Sequence, residues 1–165
     1  MKVYFLRHGP AVARGEWTRD DAERPLTDQG VARMERIATT LAGLDLGLGA
    51  IVSSPFVRAS RTAEIVARTL NVDWSGDARL APGFDAELLR AILLEHPGVD
   101  AIMLVGHEPD LGGTIGALVG GGRITCRKGG LALVNLPGAR SRAGELAWLV
   151  PPRILEFGRQ GPDSR

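Results

Sequence analysis

The sequence predicts a single α/β domain, a three-layer sandwich in which a mostly parallel sheet has helices on both faces. Three short apolar runs predict buried strands, at residues 3–6, 50–53 and 101–105. Each run ends in a loop rich in Gly, Pro or Ser, and each is followed further along the chain by apolar residues at helical spacing. Strands that alternate with helices are typical of parallel sheets.

Length and composition support one domain over residues 1–165, with residues 156–165 as a candidate flexible tail. The chain has 165 residues, of which 44% are hydrophobic and 24% are charged. A domain of this length buries roughly 70% of the surface of its unfolded chain, so its core needs no metal or disulfide. Cys126 is the single cysteine and forms no internal bridge, which fits a reducing cytosol. We expect it to be buried or partly buried and not to act as a nucleophile.

The charge balance limits the kinds of partner. The 20 basic and 19 acidic residues give a net charge of +1, so the protein as a whole has no field that would attract nucleic acid or a membrane surface. An anion site must therefore be local. The first apolar run is too short for a signal peptide, and no apolar run approaches the length of a membrane span. We therefore expect a cytoplasmic protein.

The first half of the chain contains two predicted strand-to-helix units. After the first strand and a polar surface loop at 11–24, Thr27 can cap a helix that ends at Gly43. The strand at 50–53 leads into a helix marked by apolar residues between Ala59 and Leu70, with Arg58 in its first turn.

The second half begins with another helix and ends in two strands. Asp85 can cap a helix that stops before Pro97, and the strand at 101–105 leads into a helix at 111–119. Residues 131–136 and 145–150 predict a two-stranded meander, which Pro151-Pro152 closes.

Four arginine and histidine residues lie where the predicted strands end. They are Arg7, His8, Arg58 and His107. Parallel sheets bind ligands at the carboxyl ends of their strands, and Arg and His donors suit a phosphoryl group. A neutral histidine ring can also attack phosphorus, and a neighbouring arginine favours the neutral form. A second histidine, when protonated, would hold oxygens that gain charge in the transition state.

Three segments carry a recognisable pattern of motifs along the chain. They are Leu6-Arg7-His8-Gly9, then Ser53-Ser54-Pro55-Phe56-Val57-Arg58-Ala59 with Arg61-Thr62-Ala63, then Val105-Gly106-His107. In this order they resemble the histidine phosphatase superfamily, which includes cofactor-dependent phosphoglycerate mutase. Four further segments are Arg24-Pro25-Leu26-Thr27 with Gly30, His107-Glu108-Pro109-Asp110-Leu111, Lys128-Gly129-Gly130-Leu131-Ala132 and Trp148-Leu149-Val150-Pro151-Pro152. These resemble the short SixA branch, the phosphohistidine phosphatases. The resemblance covers nearly the whole chain and implies a phosphoglycerate mutase-like fold.

The resemblance also implies roles for individual residues. His8 would be the phosphorylated nucleophile, with Arg7, Arg58 and His107 on the phosphoryl oxygens. Glu108 would be the preferred general acid, with Asp85 or no residue as the alternatives. No cofactor or metal is implied, and His107-Glu108 lacks the spacing of a zinc-binding HExxH motif.

These features predict a phosphatase that hydrolyses phosphohistidine on a protein and releases inorganic phosphate. The resemblance implies that larger members of the family carry a carboxylate acid on a segment inserted after Arg58, where this chain has only a short stretch. Imidazole also leaves more easily than an alkoxide. The resemblance implies a histidine-phosphorylated signalling or phosphotransfer protein as the partner. A general small-molecule phosphomonoesterase and a non-catalytic phosphoprotein-binding module remain the alternatives.

Simpler explanations exist for single residues. His8 could be an ordinary loop histidine, and Arg58 could form a surface salt bridge to Glu64 or Glu95. Arg24 could reach the phosphate, contact a protein substrate or be tied to the acidic loop beside it.

Overall fold

The structure is a computed structural model that describes residues 1–157. Its strands form one six-stranded sheet in the order β3-β2-β4-β1-β5-β6. The strands are β1 Lys2–Arg7, β2 Ala50–Ser53, β3 Trp74–Gly76, β4 Ala101–Gly106, β5 Leu131–Asn135 and β6 Glu145–Val150. The helices are α1 Asp28–Ala42, α2 Val57–Leu70, α3 Ala86–Leu94, α4 Asp110–Leu118 and α5 Pro152–Glu156.

The strand directions confirm the predicted mostly parallel sheet. β1 is parallel to β4, and β2 is parallel to both β3 and β4, whereas β5 and β6 add an antiparallel edge. In the pairing of β1 with β4, Arg7 lies opposite Gly106. The two strands therefore end level with each other, and the next residues, His8 and His107, leave the sheet side by side.

Helices cover both faces of the sheet, as the sequence predicts. Along β1, Tyr4 and Leu6 contact the core beneath α1, α2 and α5, while Val3 and Phe5 contact the core beneath α3 and α4. All four side chains are at most 2% exposed. A strand buried on both faces reads as a continuous apolar run, which is why β1 shows no alternation.

Two helix starts depend on the caps that the sequence predicts. The Thr27 hydroxyl accepts a hydrogen bond from the Gly30 amide at 2.9 Å, at the start of α1. The Asp85 carboxylate accepts from the amides of Glu87 and Leu88, each at 2.9 Å, at the start of α3. Asp85 is therefore the N-cap of α3, as its position in the sequence predicts.

Two elements were not predicted. β3 has three exposed residues, too few to show a strand period, and it forms by pairing with β2. α5 begins at Pro152, where we expected the closing turn of the meander. Within the candidate tail, Glu156 ends α5 and pairs with Arg33 at 2.8 Å, and residues 158–165 lie outside the described part of the chain.

Among residues 1–157, no helix has both the length and the apolar character that a membrane crossing requires.

Candidate active site

The backbone of His8 is fixed by hydrogen bonds to two other loops. Its amide donates to the carbonyl of Gly106 at 3.1 Å, and its carbonyl accepts from the amide of Gly129 at 3.2 Å. Gly129 has a φ of +80°, which only glycine adopts readily, so the Gly129-Gly130 pair suits this close approach. His8 is 5% exposed.

The segment after His8 is held by the Arg-Pro-Leu-Thr motif. Ala11 forms an antiparallel bridge with Leu26, and the carbonyl of Pro10 accepts from the amide of Thr27 at 3.1 Å. A Cβ atom on Gly30 would lie 2.0 Å from the Pro10 carbonyl oxygen, so any larger residue there would push this segment away. The motif that resembled the SixA branch is therefore part of the support of the nucleophile loop.

The ring of His8 has its nucleophilic nitrogen available. Its Nδ1 lies 2.7 Å from the carbonyl oxygen of Gly9, and because a carbonyl only accepts, Nδ1 must bear the proton. In the neutral ring the lone pair is then on Nε2. Burial, with smaller contributions from the charges of His107, Arg58 and Arg7, lowers the pKa of His8 to about 3 despite the opposing Gly9 hydrogen bond.

His107 is the second buried histidine of the site. Its ring centroid lies 5.2 Å from that of His8, and its Nε2 lies 2.8 Å from the Ser54 hydroxyl. Ser54 already accepts from the Phe56 amide at 3.3 Å, which leaves its proton free to bond Nε2. In that arrangement His107 bears its own proton on Nδ1. Burial, and then the charge of Arg58, lowers its pKa to about 4.

Arg58 is buried at the start of α2, and its salt-bridge partner is not one that we expected. Its two terminal nitrogens donate to Asp21, one to the backbone carbonyl at 2.6 Å and one to the carboxylate at 2.9 Å. The expected alternative, a surface salt bridge to Glu64 or Glu95, is wrong. These two glutamates pair with Arg61 and Arg79.

Arg7 is half-buried and is oriented by the loop before β5. Its Nη1 donates to the carbonyl of Cys126 at 2.9 Å. Cys126 is itself fully buried, as we expected, and burial with the nearby charge of Glu108 raises the pKa of its thiol to about 12. The thiol is therefore not a nucleophile at neutral pH.

Three buried N–H or ring nitrogen atoms of this cluster have no hydrogen-bond partner within residues 1–157. They are Arg7 Nε, Arg58 Nε and His107 Nδ1. Unpaired buried polar atoms are costly, and where they cluster they indicate a ligand that supplies the missing acceptors. An arginine-and-histidine donor set of this kind suits an oxyanion such as a phosphoryl group.

Arg24 and Glu108 are both occupied by protein contacts. Arg24 donates from Nε to Asp21 at 2.8 Å and from Nη1 to the carbonyl of Val12 at 2.7 Å, so the tie to the acidic loop is the contact that forms. Glu108 accepts from the Cys126 amide at 2.6 Å through Oε1. Its Oε2 lies beside Gly112, where a Cβ atom would be 3.0 Å away.

Sequence reasoning missed three residues that support the site, which are Asp21, Ser54 and Thr62, whose hydroxyl accepts from the Gly9 amide. Ser54 and Thr62 lay inside the matched segments but had no assigned role. Asp21 lay in a loop with four acidic residues, and no pattern separated it from its neighbours. Within the described chain, no three His, Cys, Asp or Glu side chains are grouped so that they could hold a metal ion.

Known proteins with similar sequences belong to the family that the Arg and His cluster of the site indicates. Residues 3–82 match the histidine phosphatase superfamily (branch 1). The chain is 32% identical to the phosphohistidine phosphatase SixA of Escherichia coli K12 over 125 residues, which cover 73% of this chain and 76% of that protein. It is also 35% identical to an uncharacterised protein of Picosynechococcus over 164 residues, which cover 94% of this chain and 99% of the relative.

A solved structure gives the same result for the fold. The protein histidine phosphatase SixA complexed with tungstate superposes with a TM-score of 0.82 at 30% identity, covering 94% of this chain and 99% of that one. The sheet and its site define a phosphoglycerate mutase-like α/β protein. The chain belongs to the histidine phosphatase superfamily and is SixA-like.

Proposed function

We propose that this protein is a phosphatase that hydrolyses phosphohistidine on a protein substrate through a phosphohistidine intermediate on His8. The observation that carries the proposal is the hydrogen bond between His8 Nδ1 and the Gly9 carbonyl. It directs the proton to Nδ1 and leaves Nε2 as the nucleophile in a ring whose low pKa keeps it neutral at pH 7.

The reaction balances in two steps. In the first, His8 Nε2 forms a bond to phosphorus while the N–P bond of the substrate breaks, and the departing imidazole takes up a proton from solvent, which the attacking water returns in the second step. In the second, water attacks phosphorus, the bond to His8 breaks, and inorganic phosphate leaves with His8 neutral again. Arg7, Arg58 and His107 donate to the phosphoryl oxygens, which gain charge in both transition states.

The contacts of the acidic residues support phosphohistidine rather than an alkyl ester as the substrate. Glu108 is held by the Cys126 amide, and Asp85 caps α3. Neither is a freely placed proton donor, and imidazole needs less protonation to leave than an alkoxide does. The SixA relative, described as a phosphohistidine phosphatase, supports the same substrate class.

The test is a panel of rates with wild type, His8→Ala and the control His96→Ala. The substrates are a histidine-phosphorylated phosphotransfer domain, a phosphoserine peptide, p-nitrophenyl phosphate and a sugar phosphate. We expect the phosphohistidine protein to be the best substrate, and phosphate to be trapped on His8 when the reaction is quenched without acid. His96 follows the end of α3, where its amide donates to the Leu93 carbonyl at 3.2 Å, so we expect its removal to leave turnover unchanged.

The alternatives give different results in the same panel. A general phosphomonoesterase would hydrolyse the sugar phosphate at least as fast as the phosphohistidine protein. A binding module would bind the phosphoprotein without turnover. Near wild-type turnover by His8→Ala would refute the covalent mechanism.

A further inference from the structure

Asp21 lies in the surface loop between β1 and α1, close to Arg58. It begins a short 3-10 turn, Asp21–Glu23, which Asp20 caps by accepting from the Ala22 amide at 2.9 Å. The side chain of Asp21 is 32% exposed, whereas that of Arg58 is 4% exposed. An exposed loop thus sends one carboxylate inward to a buried arginine of the site.

The contact between these residues fixes the rotation of the guanidinium group. Asp21 binds Arg58 twice, through its backbone carbonyl at 2.6 Å and through Oδ2 at 2.9 Å, and each acceptor takes one terminal nitrogen. A guanidinium group has five N–H bonds in one plane. Two are used by Asp21, so the Nε–H and one N–H on each terminal nitrogen remain. With both ends held, these three bonds have fixed directions.

Asp21 is held in turn by Arg24. Its other oxygen, Oδ1, accepts from Arg24 Nε at 2.8 Å, and Arg24 is anchored to the carbonyl of Val12. Burial raises the pKa of Asp21, but the hydrogen bond from Arg24 and the charges of Arg58 and Arg24 outweigh it and bring the pKa to about 2. Asp21 is therefore ionised near neutral pH.

We infer that Asp21 is a positioning residue that orients Arg58, so that the remaining N–H bonds of Arg58 meet the phosphoryl group. Arg24 acts through Asp21 and does not touch the phosphoryl group. This inference rests on the proposed function, because it assumes that Arg58 binds the phosphoryl oxygens. It predicts that removal of Asp21 weakens anion binding, although a negative charge is lost next to an anion site.

The opposite effect would follow if Asp21 competed with the phosphoryl group for Arg58. In that case its removal would free the guanidinium and tighten anion binding. The direction of the change in affinity therefore separates positioning from competition. The outcome does not depend on which phosphorylated molecule is the natural substrate.

The experiment measures vanadate affinity and kcat/KM for p-nitrophenyl phosphate. The variants are Asp21→Ala, Asp21→Asn and Glu23→Gln, each in the wild-type and the Arg58→Ala background. Glu23→Gln is the matched control, because it removes a carboxylate from the same turn whose partner is the exposed Arg19. Asp21→Asn keeps the backbone contact and one side-chain acceptor for Arg58.

We expect Asp21→Ala to weaken vanadate binding and to lower kcat/KM by on the order of 10- to 100-fold, with a smaller loss for Asp21→Asn. In the Arg58→Ala background neither substitution should have a further effect, and Glu23→Gln should match its parent in both. Equal losses in the two backgrounds would overturn the inference, as would tighter vanadate binding. The proposed function is tested by a separate measurement. Absence of trapped phosphate on His8 in the wild type would refute it.

Discussion

The hydroxyl of Thr62 joins the nucleophile loop to the helix that carries Arg58. It accepts from the amide of Gly9 at 3.1 Å and donates to the carbonyl of Arg58, one turn earlier in α2, at 2.7 Å. Thr62 is fully buried, so no water competes for either bond. One side chain therefore links the position of His8 to the first turn of α2.

Replacing this hydroxyl should affect both stability and activity. Thr62→Val is close to the original in shape but leaves the Gly9 amide buried without an acceptor, which costs about 1–3 kcal/mol. We expect the free energy of unfolding in urea to fall by that amount and kcat to fall with it, because the His8 loop loses its tie to α2. Thr62→Ser keeps the hydroxyl and should retain more activity than Thr62→Val. Equal stability and kcat in the two variants would show that the bond has no influence.

The two buried histidines should make stability depend on pH. The pKa values of His8 and His107 are about 3 and about 4 in the folded protein, below the value of about 6.5 for an unfolded chain. Below pH 6.5 the unfolded state therefore binds protons that the folded state does not, and stability falls as the pH is lowered. The slope approaches about 1.4 kcal/mol per pH unit for each histidine until the folded pKa is reached.

The measurement is the free energy of unfolding in urea at pH 7 and pH 5 for wild type, His8→Asn and His107→Asn. Each variant should lose less stability between the two pH values than the wild type does. Asp21, with a pKa of about 2, does not titrate in this range and does not contribute. Identical pH dependence in all three proteins would contradict the low histidine pKa values.

Local patterns were sufficient to predict most of the fold. The Thr27 and Asp85 caps, the helical spacing and the apolar runs act over a few residues, and the structure forms these elements where they were expected. β3 could not be predicted in this way, because its three residues form a strand only through the pairing with β2. The sheet order also brought His8 and His107 together, as strand ends in an α/β fold should.

The contacts within the site were much harder to predict. Arg58 and Asp21 are 37 positions apart, and nothing in the spacing of the charges distinguishes Asp21 from Asp20 or Glu23. The distinction comes from the turn that aims one carboxylate inward. The same applies to Glu108, whose contact with the Cys126 amide depends on how the loop before β5 folds against α4.

Chelation should leave activity intact. The phosphoryl charge can be met by hydrogen bonds from Arg7, Arg58 and His107, which replace the positive charge that Mg²⁺ or Zn²⁺ supplies in other phosphoryl-transfer sites. We expect kcat/KM to be the same before and after treatment with EDTA. Complete loss of activity that one metal ion restores would contradict this prediction.

A leaving-group comparison tests whether Glu108 donates a proton. If it does, Glu108→Gln should slow the hydrolysis of alkyl phosphate esters by roughly 10²–10⁴-fold, because an alkoxide must be protonated as it departs. Phosphohistidine and p-nitrophenyl phosphate have better leaving groups, so their loss should be much smaller. The glutamine oxygen can still accept from the Cys126 amide, which preserves the contact that holds the side chain.

The measurement is the ratio of kcat/KM in Glu108→Gln to kcat/KM in the wild type, determined once for alkyl esters and once for the substrates with better leaving groups. We expect equal and small losses for both substrate types, because Oε1 of Glu108 is bound to the Cys126 amide and Oε2 lies beside Gly112. Equal ratios would remove Glu108 from the acid role, and Asp85, which caps α3, is not a replacement that the geometry favours. A selective loss on alkyl esters would instead show that Glu108 turns toward the leaving group during the reaction. Negligible ester hydrolysis by the wild type would support an enzyme whose substrate, a phosphoramidate, needs no strong acid.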